Sequence, residues 1–333
     1  MSNFAEVVSE VKLWCPSRKL WFAEREDSLS CGCKSMPNSK VISVITAVKD
    51  REDQFNDALM SLINQDTQYF NENNVEIEHV VQDAGGVPLR FEKIEACTIF
   101  HTIYSRKFDG GLYPAFNIGY ELSRGNYITF LNSDDTYARD FLRKSHEMIR
   151  VTDADWTFGN IIIDFGNGKS VYLEGKVDYF LSPWANFSRF HHNTVLAKRE
   201  IFETIGTFPE QIEGRKILFC SDYWWFMAAQ RKGFIGAYIP SIIGYMRWGG
   251  ASSSDERLIY DEASFVAAKV FPEKAALIRT IWMLRLIDNK YLSRFHFGLL
   301  RKIRIVGRYL YGYAIRVAHH SSEGIGRADE RVH

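Results

Sequence analysis

Asp134 and Asp135 stand side by side in the run Phe-Leu-Asn-Ser-Asp-Asp-Thr-Tyr at 130–137, directly after an apolar segment that reads as a buried strand. Adjacent carboxylates at such a place repel one another and lose solvation, which costs stability unless a cation or hydrogen bonds compensate. Hard divalent ions such as Mg2+ are held by one or two carboxylates together with phosphate oxygens of a substrate, and Asp134 and Asp135 suit that role. A plainer role suits them as well, because Asp135 and Thr136 are good caps for a helix starting near Tyr137. The dipeptide alone leaves both open.

Strands and helices must bring these acids to an accessible edge. Val-Ile-Ser-Val-Ile-Thr-Ala-Val at 41–48 is the pattern of a strand buried on both faces, and a helical period follows through Phe55, Leu59, Leu62 and Ile63. Further strands are predicted at 77–82, ending in Asp83-Ala84-Gly85-Gly86, at 98–103 and at 127–131, with an amphipathic segment at 112–123. Alternation at this spacing predicts a mostly parallel sheet with right-handed crossovers. Ligands bind beyond the carboxyl ends of such strands. The polar clusters fall there: Lys49-Asp50, Asp83 and Asn132 to Asp135.

Either side of this core the texture differs. Residues 1–40, with Pro16, Pro37 and a Ser/Cys/Gly cluster, read as an irregular extension. After residue 150 a hairpin is expected over 155–175 around Gly166-Asn167-Gly168, then a loop rich in aromatics and His at 180–194. Helices near 198–205 and 221–232, a strand-rich run at 233–248 and helix from about 255 to 318 complete the reading.

The chain has 333 residues, 46% hydrophobic and 25% charged, the mixture of a folded globular protein. Its 41 Lys+Arg balance 41 Asp+Glu, which removes the long-range field of a general nucleic-acid binder; no nucleic-acid partner is expected. Five cysteines, at 15, 31, 33, 97 and 220, are an odd, sparse set that does not read as a disulfide framework. Cys31-Gly-Cys33 lacks a second pair at metal-ligand spacing, so free thiols are expected there. Glu6, Glu10 and Lys12 interrupt the apolar core that an export signal needs, and no run reaches the ~18 uncharged apolar residues of a membrane-spanning helix. A cytoplasmic location is expected.

Five ordered blocks resemble family 2 glycosyltransferases. In that family an Asp-rich entry loop, a helix carrying Asn-x-Gly, a Gly turn, an apolar strand and a D-x-D-like motif follow one another. Asp109, Asn117, Gly119, Gly125 and Asp134-Asp135 stand in those places. Val-Ile-Ser-Val-Ile-Thr-Ala-Val-Lys-Asp-Arg-Glu-Asp (41–53) is similar to the first strand and its nucleotide-binding turn. His-Val-Val-Gln-Asp-Ala-Gly-Gly (79–86) resembles the second strand, whose Asp, here Asp83, contacts the base. Residues 192–210 resemble the acceptor-side segment, and 220–233 the motif whose Asp, here Asp222, serves as catalytic base. There are departures: Asn132 replaces the first acid of D-x-D, Ser221-Asp222 carries one acid where the family has two, and Ala84-Gly85-Gly86 lacks the common Ser/Thr-rich continuation.

The resemblance implies an α/β fold of the GT-A type, a Rossmann-like nucleotide-diphospho-sugar transferase with a mostly parallel sheet flanked by helices and a helical C-terminal extension. It divides the chain into an extension (1–40), a nucleotide-sugar-binding half (41–150), an acceptor-binding half (151–254) and a basic, aromatic helical region (255–333). It implies a divalent metal, Mn2+ or Mg2+, on Asp134 and Asp135. Thr46, Ala47, Lys49, Asp50, Asp83, Arg106, Asp109, Asn117 and Asp134 would bind the nucleotide-diphosphate sugar, with Arg106 and Lys107 near the diphosphate charge. Chemistry supports the assignment of roles. Negative charge builds on the departing diphosphate, where a cation stabilises it. An acceptor hydroxyl is a poor nucleophile and needs a carboxylate to take its proton; Asp222 in that role, attacking from the face opposite the diphosphate, gives inversion.

Blander readings stand beside these. Asp222 also suits a helix N-cap, residues 46–50 suit turn chemistry, and Arg106-Lys107 suit a solvated loop. His191 and His192 precede a strand near the cleft as metal ligands or structural histidines, and Tyr223 to Phe226 read as mostly core, with a sugar-stacking platform as the alternative. Residues 278–316 hold nine Lys/Arg against one acid, Asp288, among Leu, Ile, Trp, Phe and Tyr. Such a helix suits an anionic membrane surface or packs on the domain or on another subunit. The expected function is sugar transfer to a glycan or polyprenyl-linked acceptor in bacterial polysaccharide biosynthesis, on the inner face of the membrane, with an oligomer allowed. The alternatives are a nucleotidyltransferase, which wants a Gly-rich basic loop where Lys49 to Asp53 stands, and a catalytically weak nucleotide-sugar or glycan-binding subunit.

Overall fold

Val41 to Thr46 are buried without interruption, as the β-branched run at 41–48 demands. This strand is the middle of an 11-stranded sheet. A computed structural model describes residues 10–15, 20–22, 39–90, 100–175, 191–249 and 256–287. The first half of the chain contributes β1 (Glu10–Cys15), β2 (Leu20–Phe22), β3 (Lys40–Val48), α1 (Glu52–Ile63), α2 (Thr67–Glu72), β4 (Val75–Asp83), β5 (His101–Arg106), α3 (Leu112–Leu122), β6 (Tyr127–Asn132), β7 (Thr136–Tyr137) and α4 (Phe141–Thr152). The second contributes β8 (Trp156–Asp164), β9 (Ser170–Leu173), β10 (Leu196–Lys198), α5 (Arg199–Ile205), the short pair β11 (Gln211–Ile212) and β12 (Arg215–Lys216), α6 (Ser221–Arg231), β13 (Gly236–Arg247), α7 (Glu256–Val270) and α8 (Ala275–Ile287).

The order across the sheet is β2-β1-β5-β4-β3-β6-β10-β8-β13-β7, with β9 beside β8. β5, β4, β3 and β6 are parallel neighbours, the core that the alternation of strand and helix predicts. Outside it the sheet is mixed: β10 runs antiparallel to β6 and β8, while β13 is parallel to β8. The stretch read as an irregular extension holds two strands. β1 pairs antiparallel with β5, from Glu10 opposite Arg106 to Trp14 opposite Thr102, and so covers the edge of the parallel core. The hairpin expected over 155–175 is β8–β9, with Gly166, Asn167 and Gly168 all at positive φ.

Alternate residues of β3 serve two cores, as the period of a strand requires. Ile42 and Val44 pack with Phe55, Leu59 and Leu62 of α1 and Phe141 of α4. Ile45 faces the other way, with Phe116, Phe130, Trp156, Phe202 and Trp225. Gly119 lets α3 lie against that face, since a Cβ there would stand 2.3 Å from Ile45 Cγ2. A third cluster joins α6 to α7 and α8 through Met227, Val266, Ala267, Ile278 and Trp282. Cys31, Cys33, Cys97 and residues 288–316 lie outside the described residues.

Candidate active site

The parallel strands end in one row. Asn132 of β6 is the register partner of Ala47, Val48 of β3 that of Asp83, and Asp83 that of Arg106 of β5. This is the carboxyl edge, where α/β sheets bind ligands. Asp83 is 1% exposed; its Oδ2 accepts from the Tyr104 hydroxyl at 2.7 Å and its Oδ1 from the Gly85 N–H at 2.8 Å. Burial pushes its carboxyl above the ordinary range, against the opposite pull of Tyr104, Gly85 and Arg106. Arg106 donates to the carbonyls of Gly85 and Gly86 at 3.3 and 3.1 Å and so braces the turn beyond β4.

Asp50 closes the same turn from β3. It adopts φ 52°, a left-handed conformation that a short Asp side chain tolerates, and its Oδ1 accepts the Gly86 N–H at 2.8 Å. Gly85 fits between the two acids because a Cβ would stand 2.9 Å from Asp50 Oδ1 and 3.0 Å from Asp83 Oδ1. Lys49 is exposed beside them, and Ala47 is partly buried. Asp109, half-buried, enters from the loop before α3 and accepts the Gly111 N–H at 3.0 Å. Burial raises its carboxyl pKa, while the Gly111 and Gln82 hydrogen bonds and the charge of Lys49 oppose the rise.

Two residues expected at the nucleotide sugar make side-chain hydrogen bonds within the protein. Thr46 is fully buried, its hydroxyl 3.0 Å from His79 Nε2. Asn117 pairs with the backbone of Phe208, donating Nδ2–H to its carbonyl at 2.8 Å and accepting its N–H at 3.0 Å. The polar atoms of both are consumed in tying elements together, because a buried polar group left unpaired is costly.

Asp222 sits in the first turn of α6, where the helix dipole favours a negative charge. Its Oδ1 accepts from the Tyr113 hydroxyl and from the Tyr223 N–H, each at 2.8 Å. Its Oδ2 lies 3.1 Å from His192 Nδ1. Burial raises this carboxyl, yet the His192 hydrogen bond and charge, with the Tyr113 and Tyr223 bonds, outweigh it and hold the pKa below its ordinary value. A carboxylate oxygen offers about two lone-pair sites. Oδ1 is therefore filled, and Oδ2 keeps one site for a further donor.

The two acids read as a metal pair differ. Asp134 makes an ion pair with Arg51, and 18% of its side chain is exposed. Such a pair is weak and readily displaced. Asp135 is 2% exposed; its Oδ2 accepts from Asn132 Nδ2 at 2.8 Å and Asn193 Nδ2 at 2.9 Å, and its Oδ1 from the Arg247 N–H at 3.1 Å. Burial and the neighbouring charge of Asp134 push its pKa up to about 6, against its hydrogen bonds. Asp135, read with Asp134 as a metal ligand, is thus enclosed by hydrogen-bond donors, and it does not cap a helix, since β7 follows. Among the described residues no three His, Cys, Asp or Glu side chains converge on one metal position. The donor set fits a hard ion held by Asp134 with the remaining positions filled by phosphate and water oxygens.

His192, buried between Asp222 and Asn132, joins the two halves of the site; its Nε2 lies 3.1 Å from Asn132 Oδ1. Tyr104, Tyr113, Asn193 and Arg51 were not legible as site residues. Each acts on a partner distant in sequence, and no local motif marks it. Tyr223, Trp225 and Phe226 are buried core, as read, with Trp225 stacked on Phe202 at 4.3 Å.

Residues 43–209 match the family described as glycosyl transferase family 2. A protein of Haemophilus influenzae described as an uncharacterised glycosyltransferase is 31% identical over 182 residues, covering 52% of this chain and 67% of its own. The crystal structure of S. aureus TarS 1–349 superposes with a TM-score of 0.52 at 16% identity, over 80% of this chain and 78% of that one. The same fragment in complex with UDP gives 0.51 at 17% identity, over 76% and 73%. Against a longer TarS structure the TM-score is 0.52, and the match covers 45% of that chain. At these identities the likeness is one of fold. With the ordered blocks along the strand ends, these matches place the chain in glycosyl transferase family 2: it is a glycosyltransferase with the GT-A fold.

Proposed function

We propose that the protein transfers a sugar, with inversion, from a nucleotide-diphosphate sugar to a hydroxyl of a glycan or polyprenyl-linked acceptor, and that Asp222 Oδ2 takes the proton. The observation that carries this reading is the open lone-pair site on Asp222 Oδ2, a partly buried carboxylate in the first turn of α6 that His192 ties to the end of β6. Asp83 and Asp50, locked around Gly85, form the wall for base and ribose, and Lys49, Arg106 and Asp109 line the way to the diphosphate. Asp134 would hold a divalent ion, Mn2+ or Mg2+, which would supply charge stabilisation for the departing diphosphate. Asp135 positions the turn that carries Asp134. Arg51, now paired with Asp134, would be free for a phosphate oxygen once that carboxylate took a cation.

The complex of TarS with UDP supports a nucleotide donor for this fold and makes uridine the first base to try. A role in bacterial polysaccharide assembly and a peripheral place on the inner membrane face rest on the family resemblance and on the nine Lys/Arg of residues 278–316. Among the described residues no helix is long and apolar enough to cross a membrane. The test is thermal unfolding with UDP, GDP, dTDP or CMP, with and without Mn2+. Saturation at a hundred times Kd stabilises by ~2.7 kcal/mol. A metal-dependent shift with one nucleotide, lost in Asp134→Ala, is expected; no shift with any nucleotide overturns the donor site.

A further inference from the structure

Asn132 stands where the family's motif has its first acid, and its surroundings call for an amide. Oδ1 faces His192 Nε2 at 3.1 Å, while Nδ2 donates to Asp135 Oδ2 at 2.8 Å. The donation from Nδ2 to Asp135 is one that an ionised carboxylate at 132 cannot make. His192 continues the line, its Nδ1 3.1 Å from Asp222 Oδ2. The chain Asp222–His192–Asn132–Asp135 thus spans the site from the acceptor side to the donor side. His192 and Asp135 within it are enclosed, at 8% and 2% exposed, with Phe116 edge-on to the His192 ring at 5.5 Å, while Asn132 and Asp222 are partly buried. Inside such an enclosure hydrogen bonds strengthen one another and hold a single arrangement.

We propose that His192 and Asn132 are positioning residues that couple the proton-accepting carboxylate to the carboxylates beneath the donor diphosphate. This rests on the proposed role of Asp222. His192 fixes Oδ2 so that its remaining lone-pair site points to the acceptor. Asn132 holds His192 in place and anchors Asp135, and through Asp135 it sets the turn bearing Asp134. The departure from the acidic motif is then a requirement of the relay. An Asp at 132 would put a second carboxylate against Asp135 Oδ2 and leave that oxygen short of a donor, so restoring the family's acid should harm the enzyme.

Two readouts test this, one of them independent of turnover. In the full-length protein with 15N-labelled histidine, the His192 ring nitrogens should shift on Asp222→Asn and also on Asp135→Asn, whose side chain makes no hydrogen bond to His192 and reaches it by charge and through Asn132. A His192 spectrum unmoved by Asp135→Asn overturns the coupling. If no donor supports turnover at all, it is the proposed function that fails, and the spectrum still decides the relay. With a working donor, Asn132→Asp should lower kcat roughly 10–100-fold with little change in donor KM, and should weaken the Mn2+ response. Asn132→Ser, a smaller acceptor and donor, should recover part of the loss. Activity of Asn132→Asp at or above wild type, with tighter Mn2+ dependence, overturns the proposal. So does additivity of His192→Ala and Asn132→Ala in a double-mutant cycle on kcat.

Discussion

The hydroxyl of Tyr113, from the first turn of α3, lies 2.8 Å from Asp222 Oδ1 and 2.8 Å from the carbonyl of Phe219. It carries one proton for two acceptors, so it holds the base and the loop ahead of the base together. Tyr113→Phe removes one of the bonds that keep the Asp222 carboxyl low. The acid limb of the kcat–pH profile should therefore move to higher pH, and stability should fall by about 1–2 kcal/mol. A profile identical to wild type would separate Tyr113 from the base.

The loop ahead of Asp222 has a second anchor. Glu262 of α7 is 1% exposed and accepts the N–H groups of Leu218 and Phe219 at 2.8 and 2.7 Å. Glu262→Ala leaves both amides without this partner and should cost about 2–4 kcal/mol in urea unfolding. Turnover should fall with it, since the loop leads directly into α6. Glu262→Gln keeps an acceptor oxygen and should recover roughly half of the stability. Equal losses in the two variants would point to packing and not to the amide bonds.

Acid should destabilise the fold through His79. This side chain is 1% exposed between Phe55 and Phe100, and burial pushes its pKa down from 6.5 to about 3. The unfolded chain binds the proton more readily than the folded one, so stability is complete above pH 6.5 and is lost as pH falls toward 3. The loss over that window is on the order of 5 kcal/mol. Urea midpoints of wild type should drop from pH 7 to pH 4.5 more steeply than those of His79→Gln. Parallel slopes would contradict this.

Asp134 and Asp135 should part company in a stability assay. Asp134→Ala loses only a surface ion pair with Arg51, so the unfolding temperature should stay within a few degrees while the Mn2+-dependent nucleotide shift disappears. Asp135→Ala strips partners from Asn132, Asn193 and the Arg247 N–H, and the fold itself should weaken without any ligand. Equal effects of the two on unfolding would count against the enclosed role of Asp135.

The parallel core was legible because its strands are strongly apolar and its polar clusters mark their ends. β3 and β6 lie within a residue of their expected limits, and the third strand lies three residues later than expected, at 101–106. β1 and β2 were missed because Pro16 and the mixed polarity of 10–22 hide strands that find partners only across the sheet. Motif positions were easier to find than roles. Thr46 and Asn117 occupy family places, but which way a side chain points on a strand or helix decides whether it meets ligand or core. Tyr113 and Asp222 are 109 residues apart, and nothing local announces their bond.

The most direct test of the assignment of Asp222 is transfer by Asp222→Asn set against its donor binding. With the donor and acceptor that support wild-type turnover, the variant should keep the metal-dependent nucleotide shift and lose at least about 100-fold in kcat, the range of a missing general base. Turnover near the wild-type rate with intact donor binding would show that the proton goes elsewhere, and the account of the site would fall with it.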